Sequence, residues 1–266
     1  MDIRRRMLTR LTSADGDPIN VDNYLTIEAN EDGLTASLSV NACEYCVDGD
    51  GNWKTLSART ATESINTGQT LSFRGNLTPN SSNGIGTFTI NKKCNLKGNC
   101  MSMLFGDNAA NNYSLSGKHY AFYKLFYGCS NIVNISSNFL PATTLASYCY
   151  HSMFSGCSSL TTAPELPVTT LADYCYQYMF YGCSSLTTAP ELPATTLAND
   201  CYYGMFYNCI KINYIKMIAT NISAFNCLKN WVYGVSSTGT FVKNAAMTSL
   251  PTGYSGIPSR WTVQNA

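Results

Sequence analysis

Charged residues are scarce in this sequence. Asp, Glu, Lys and Arg make up 12% of its 266 residues, about half of the ~25% usual in soluble proteins. The net charge of +1 supplies no field that would steer the chain to nucleic acid or to an anionic membrane. From Pro141 to Cys209 there is no Lys or Arg, while Glu165, Asp173, Glu191 and Asp200 lie there, so no nucleic-acid partner is expected. No apolar run approaches the ~20 residues of a membrane helix, and no membrane span is expected. The basic start Met1-Asp-Ile-Arg-Arg-Arg-Met-Leu-Thr-Arg10 is followed by no apolar segment. No secretory signal is therefore visible, and residues 1–21 are expected to form a flexible basic tail.

Catalytic groups are equally sparse. The chain has two histidines, His119 and His151. His151 occupies a repeat position held elsewhere by Gln177 and Tyr203, and His119 sits in the polar segment Ser116-Gly-Lys-His119. No Ser or Cys shows an evident base partner. Gly84-Ile-Gly86 lacks the third glycine and the lysine of a phosphate cradle. Glu165 and Glu191 recur once per repeat, as neighbours that resemble the paired carboxylates of glycosidases. A catalytic residue is not expected at a repeated position, so the chain is read as no enzyme, with no cofactor and no metal.

What the sequence does have is a repeat. Leu145–Thr170 reads LASYCYHSMFSGCSSLTTAPELPVTT and Leu171–Thr196 reads LADYCYQYMFYGCSSLTTAPELPATT, with only five differences. A third block opens at Leu197 with LANDCYYGMFYNC, and a weaker fourth follows around Cys227. Trp231-Val-Tyr-Gly-Val235 takes the place of Met205-Phe-Tyr-Asn-Cys209, and an irregular copy enters at Leu125-Phe-Tyr-Gly-Cys129. Self-similarity at this period is the signature of a solenoid. Within a block, Leu171, Cys175, Met179 and Cys183 fall four apart and predict one face of a helix ended by Gly182. Ser184-Ser-Leu-Thr-Thr-Ala189 predicts a short strand, and Pro190 and Pro193 bound a turn.

Eight of the twelve cysteines follow the repeat. Cys149, Cys175, Cys201 and Cys227 form one column, and Cys129, Cys157, Cys183 and Cys209 a second. Both are read as buried ladders of reduced thiol, since free Cys behaves as a small apolar residue. Cys43-Glu-Tyr-Cys46 could open a zinc knuckle, but its partner pair Cys94/Cys100 has unusual spacing. Packing thiols are expected there too. Asp48-Gly-Asp-Gly-Asn52 resembles the start of a calcium loop, but Trp53 stands where a Gly is required and Arg59 where a bidentate Glu is required. A hairpin turn accounts for it.

Between Tyr24 and Gly106 the pattern changes to alternation by two: Leu25/Ile27, Leu34/Ala36/Leu38/Val40, Leu71/Phe73 and Phe88/Ile90. Turn signals separate these runs, which predicts a β-sandwich-like domain. After Val235, Gly239-Thr-Phe-Val242 and Ile257–Val263 read as closing strands, with Trp231 and Trp261 sealing that end.

The pattern L-x-x-x-C-Y-x-x-M-F-x-G-C-x-x-L-x-x-A-P-x-L-P, running from Phe122 to Val235, resembles the BspA-type, or Treponema-type, leucine-rich repeat. That family occurs in surface proteins of gut and oral bacteria, and similar arrays occur in phages that infect them. The resemblance implies a curved solenoid with strands on one face, and a role in adhesion. The expected fold class is thus α+β: an N-terminal β-sandwich-like domain (22–110), a short leucine-rich-repeat solenoid (111–235) and a C-terminal cap (236–266). The expected function is a non-catalytic recognition or adhesion module that binds protein or glycan on a cell surface through the repeat face. The alternative is a structural virion component, a fibre or decoration protein of a phage, touching neighbouring virion proteins or copies of itself as a homo-oligomer. Cell surface, extracellular space and virion all remain open as locations. Tyr is a favoured contact residue, and the tyrosines that vary between blocks are candidate ligand contacts: Tyr148, Tyr174, Tyr178, Tyr181 and Tyr207. Thr161, Glu165, Thr187 and Glu191 are the candidates on the strand side.

Overall fold

In a computed structural model of the chain, residues 20–266 are described. The expected basic tail lies outside them except for its last two residues. The alternating runs form strands, because each can bury one face. These are β1 (Leu25–Ala29), β2 (Ala36–Leu38), β3 (Cys43–Val47), β4 (Lys54–Leu56), β5 (Thr70–Arg74), β6 (Phe88–Ile90) and β7 (Cys94–Gly98). A sheet in the order β4-β3-β5-β1-β7 extends to β8 (Ile132–Ile135), which pairs with β7 in parallel. Strands β2 and β6 form a second, two-stranded sheet. Phe88 on β6 packs edge-on against Phe73 on β5, ring centroids 5.0 Å apart. Asp48-Gly-Asp-Gly-Asn52 is the β3–β4 hairpin turn. Its Asp48 carboxylate accepts from the N–H of Thr70 and from the Gln69 amide, both at 2.8 Å.

The expected α+β class, with its leucine-rich-repeat solenoid, is not what the chain forms. The described residues are 24% strand and 6% helix, a β-rich fold. The one α-helix among them is α1 (Ser102–Phe105), four residues long. The predicted helix over Leu171–Cys183 is a run of consecutive four-residue turns. One residue in four takes a left-handed backbone: Tyr174 (φ 60°), Tyr178 (54°) and Gly182 (72°). The N–H groups of Cys175, Gln177, Met179, Tyr181 and Cys183 donate three residues back, at 3.0–3.3 Å. Those of Tyr174, Tyr176, Tyr178, Phe180 and Gly182 donate sideways, to the carbonyls of Asn199, Cys201, Tyr203, Met205 and Tyr207 in the next layer, at 2.8–3.1 Å. An α-helix uses its N–H groups internally and could not make that second set. The layers before and after repeat the arrangement, with Tyr148/Ser152/Gly156 and Asp200/Gly204/Asn208 left-handed.

A spacing of four explains why the segment reads as a helix. Turns of four residues put two side chains in and two out, so Cys175, Tyr176, Met179 and Phe180 are buried while Gln177, Tyr178 and Tyr181 face outward. The inward residues stack from layer to layer. Phe126, Phe154, Phe180 and Phe206 form a column with centroids 5.8, 5.8 and 5.9 Å apart. Tyr150, Tyr176 and Tyr202, unchanged between blocks, form a second buried column. All twelve cysteines are unpaired and buried. The Sγ–H groups of Cys157, Cys183 and Cys209 donate to the carbonyls of Phe126, Phe154 and Phe180 at 3.3, 3.2 and 2.9 Å. Each buried Phe contributes about 1.5–3 kcal/mol, against roughly 1–2 kcal/mol for each left-handed non-glycine residue. The columns therefore hold the strained turns in place.

The strand side of the stack is thinner than a full sheet. The Thr161 N–H donates to Val133 of β8 and the Asn213 N–H to Thr187, but among the described residues no backbone bond joins Thr161–Thr162 to Thr187–Thr188. Beyond this break, β9 (Tyr214–Met217), β10 (Thr240–Lys243) and β11 (Thr262–Asn265) form a parallel sheet. The indole N–H of Trp231 donates to the Gly256 carbonyl and that of Trp261 to the Ser236 carbonyl, at 2.9 and 2.8 Å, closing this end. No helix among the described residues is long and apolar enough to cross a membrane.

Candidate functional site

Outward positions of the turns carry the variable tyrosines, and the stack brings them together. Tyr120, Tyr148 and Tyr174 lie nearly parallel in three successive layers, with centroids 4.6 and 4.3 Å apart. A second file, seven residues further along each layer, runs Tyr181, Tyr207, Tyr233 and Tyr254, at 4.9, 4.5 and 4.7 Å. Tyr178 links the two, edge-on to His151, Tyr181 and Tyr203 at 5.9, 5.9 and 5.1 Å. Its ring leans over Gly204, where a Cβ would come within 2.5 Å of it. Exposure along the second file is greatest at Tyr254, 62%. All five candidate tyrosines thus lie on one face. Aromatic pairs at these separations add about 0.5–1.5 kcal/mol each, so the strip holds its shape before any partner arrives.

Ionisation is tuned towards inertness here. Burial, with Tyr174 and Tyr120 as neighbours, pushes the Tyr148 hydroxyl up to about 12. Burial pushes Tyr178 up as well, helped by Tyr203. Both hydroxyls stay protonated and can donate. Burial lowers His151 to about 4, and Lys124 adds to the effect. The ring is neutral, and its buried Nδ1 has no hydrogen-bond partner. Desolvation likewise raises the repeat thiols, Cys149 and Cys209 to about 12, far from the thiolate form that a nucleophile requires.

Beside these groups lies a recess of about 370 Å³, lined by Lys124, Tyr127, Ser152 and Ser155 together with His151 and the two tyrosines Tyr178 and Tyr181. The Lys124 ammonium sits 5.0 and 5.4 Å from the ring centroids of Tyr123 and Tyr127, and has no ion-pair partner among the described residues.

No protein-family model, curated protein or solved structure matches the chain.

The strand-side candidates form a separate place. Where the ladder breaks between Thr161–Thr162 and Thr187–Thr188, a cleft of about 500 Å³ opens, lined by Glu165, Leu166, Pro167, Glu191 and Pro193. Thr161 and Thr187 are exposed on the two flanking layers. The Lys216 ammonium donates to both oxygens of Glu191, at 3.0 and 3.1 Å, so the two repeated carboxylates differ in their surroundings. Among the described residues no cluster of three or more His, Cys, Asp or Glu could hold a metal ion.

Lys124, Tyr127, Tyr233 and Tyr254 belong to the tyrosine face but are not singled out by the sequence. Tyr233 could have been found, because the alignment of Trp231-Val-Tyr-Gly-Val235 with Met205-Phe-Tyr-Asn-Cys209 makes it the counterpart of Tyr207. Ser155, on the same face, is marked in the sequence by the replacement of a repeated tyrosine by a small residue.

Proposed function

We propose that this protein is a non-catalytic recognition module that binds a ligand on a cell surface, glycan or protein, through its tyrosine face. The observation that carries this reading is the file Tyr181–Tyr207–Tyr233–Tyr254, three stacked rings and a fourth tilted against them, all partly exposed and crossing four layers. Stacked rings are rigid, amphipathic and already ordered, which lowers the entropic penalty of binding. The protonated thiols and the neutral histidine support a role without chemistry. The resemblance of the repeat motif to adhesion proteins of gut bacteria points the same way.

The test is binding of labelled protein to an immobilised panel of glycans and extracellular-matrix proteins. Replacing Tyr207, Tyr233 and Tyr254 together by Ser should reduce the strongest signal at least ten-fold. A triple variant that binds as the parent does, or a parent that binds nothing on the panel, would contradict the reading.

One observation favours a second reading, a structural part of a larger particle such as a phage virion. Strand β11 ends the parallel sheet with all four residues exposed, and an open edge is a template for another chain. Fixed-stoichiometry recovery of the protein in purified particles would support this reading, and recovery on washed cells would support the first.

A further inference from the structure

One layer of the second tyrosine file holds no ring. The Gly128 N–H donates to the Ser155 carbonyl and the Gly156 N–H to the Tyr181 carbonyl, both at 2.7 Å, and the Gly182 N–H to the Tyr207 carbonyl at 2.8 Å. This register makes Tyr127, Ser155, Tyr181 and Tyr207 equivalent positions. Layers bonded in this way lie about 4.8 Å apart, so Tyr127 and Tyr181 flank a gap of about 9.6 Å. Elsewhere in the file that interval is filled by another tyrosine, with ring centroids 4.9 and 4.5 Å apart. The gap is the recess of about 370 Å³, a size that suits a small ligand group.

We infer that the Ser155 gap is a slot for one pyranose ring of an acidic glycan, a uronic-acid or sialic-acid type of sugar whose carboxylate meets Lys124. This deepens the surface-recognition reading and rests on it. A pyranose carries C–H groups on its faces and hydroxyls round its edge. Its faces match the rings of Tyr127 and Tyr181, and its edge matches what lies between them. Ser152 and Ser155, both small and buried, line it together with the imidazole of His151. An aromatic side chain from a protein partner would fill the same gap but leave these polar groups unmet, which is unfavourable once water is excluded. Charge selects further. Lys124 is held over two tyrosine rings with no carboxylate beside it, and the chain supplies no other Lys or Arg until after Cys209. A carboxylate on the ligand completes that cation.

The slot is tested on the full chain by titration calorimetry. The probes are tetragalacturonate, a glucuronate-containing tetrasaccharide and sialyllactose, their methyl esters, and N-acetylphenylalanine amide. At least one acidic sugar should bind the parent. Ser155→Tyr completes the file with the residue its neighbours carry, and should weaken that binding ten-fold or more without lowering the melting temperature. Lys124→Gln leaves the slot open, and should weaken the acidic sugar at least five-fold while leaving its methyl ester unaffected. Three results overturn the inference: no acidic probe binds, Ser155→Tyr and Lys124→Gln both bind as the parent does, or the phenylalanine amide binds more tightly than the sugars. Panel binding lost in the Tyr207/Tyr233/Tyr254 variant but intact in Ser155→Tyr sinks the slot and leaves the surface-recognition reading standing. Acidic-sugar binding lost in Ser155→Tyr but intact in the triple variant does the reverse.

Discussion

The two halves of the molecule satisfy their backbone in different ways. In the N-terminal half, β1 lies between β5 and β7 and pairs with both in antiparallel register. In the repeat half, one N–H in two closes its own turn and the next reaches the following layer. Both arrangements leave few orphaned groups, as a buried backbone demands. They place side chains differently, however. A strand alternates one in and one out, so a sheet offers the core a broad face. Four-residue turns alternate two in and two out, which builds columns of identical residues inside and files of tyrosines outside. The comparison teaches that one hydrogen-bonding requirement can yield either a core or a regular, rigid display surface.

The largest effect expected from breaking this comparison comes from the columns. Phe180 and Phe73 are both fully buried, one in each half, within one continuous apolar core. Phe180→Ala and Phe73→Ala should each lower stability by about 3–5 kcal/mol, in a single denaturant transition. Two separate transitions would mean that the halves are independent.

Acid comes next. Burial holds His151 at about 4, below its ordinary 6.5. The unfolded chain then binds the extra proton, so stability is full above about 6.5 and falls as pH drops towards 4, by at most about 3 kcal/mol. His151→Gln should flatten the part of the denaturation-midpoint profile that lies between pH 6.5 and 4. An unchanged profile would mean that the ring is solvated in the folded state.

Ion pairs should separate the halves least. Arg74 joins Glu44 at 2.8 Å and Asp107 at 2.9 Å, and its guanidinium lies 4.1 Å from the Trp53 ring centroid. Arg74→Met should therefore destabilise by about 1–2 kcal/mol. The Lys216–Glu191 pair is largely exposed on the Glu191 side, and Glu191→Gln should stay within about 0.5 kcal/mol. Equal losses in urea titrations would show that the strand-side pair is more important than its exposure suggests.

The N-terminal half was legible in the sequence because alternation by two has one physical solution. Leu25/Ile27, Leu71/Phe73 and Phe88/Ile90 all fall in strands, and the Asp48–Asn52 turn was read correctly as a hairpin. The repeat half was misread because a spacing of four resembles the helical 3.6. Over Leu171, Cys175, Met179 and Cys183 the spacing never slips to three, as an apolar helix stripe does. A second signal lay in the left-handed positions, where Gly, Asn and Asp recur as Gly156, Gly182, Gly204, Asp200, Asn208, Asn226 and Asn230. Tyr148, Tyr174 and Tyr178 at the same positions hid it. The tyrosine face was visible as variation between copies, but the Ser155 gap depends on register between layers, which only the folded chain supplies.

The most direct test of the turn architecture is the stability of Gly204→Ala, measured by chemical denaturation. Gly204 lies in the middle of the third block's counterpart of the segment that reads as a helix, has φ +58°, and lies under the Tyr178 ring. The turn account expects a loss of about 1–2 kcal/mol or more, from left-handed strain and displacement of that ring. A gain of about 1 kcal/mol, the usual effect of Gly→Ala inside a helix, would contradict it.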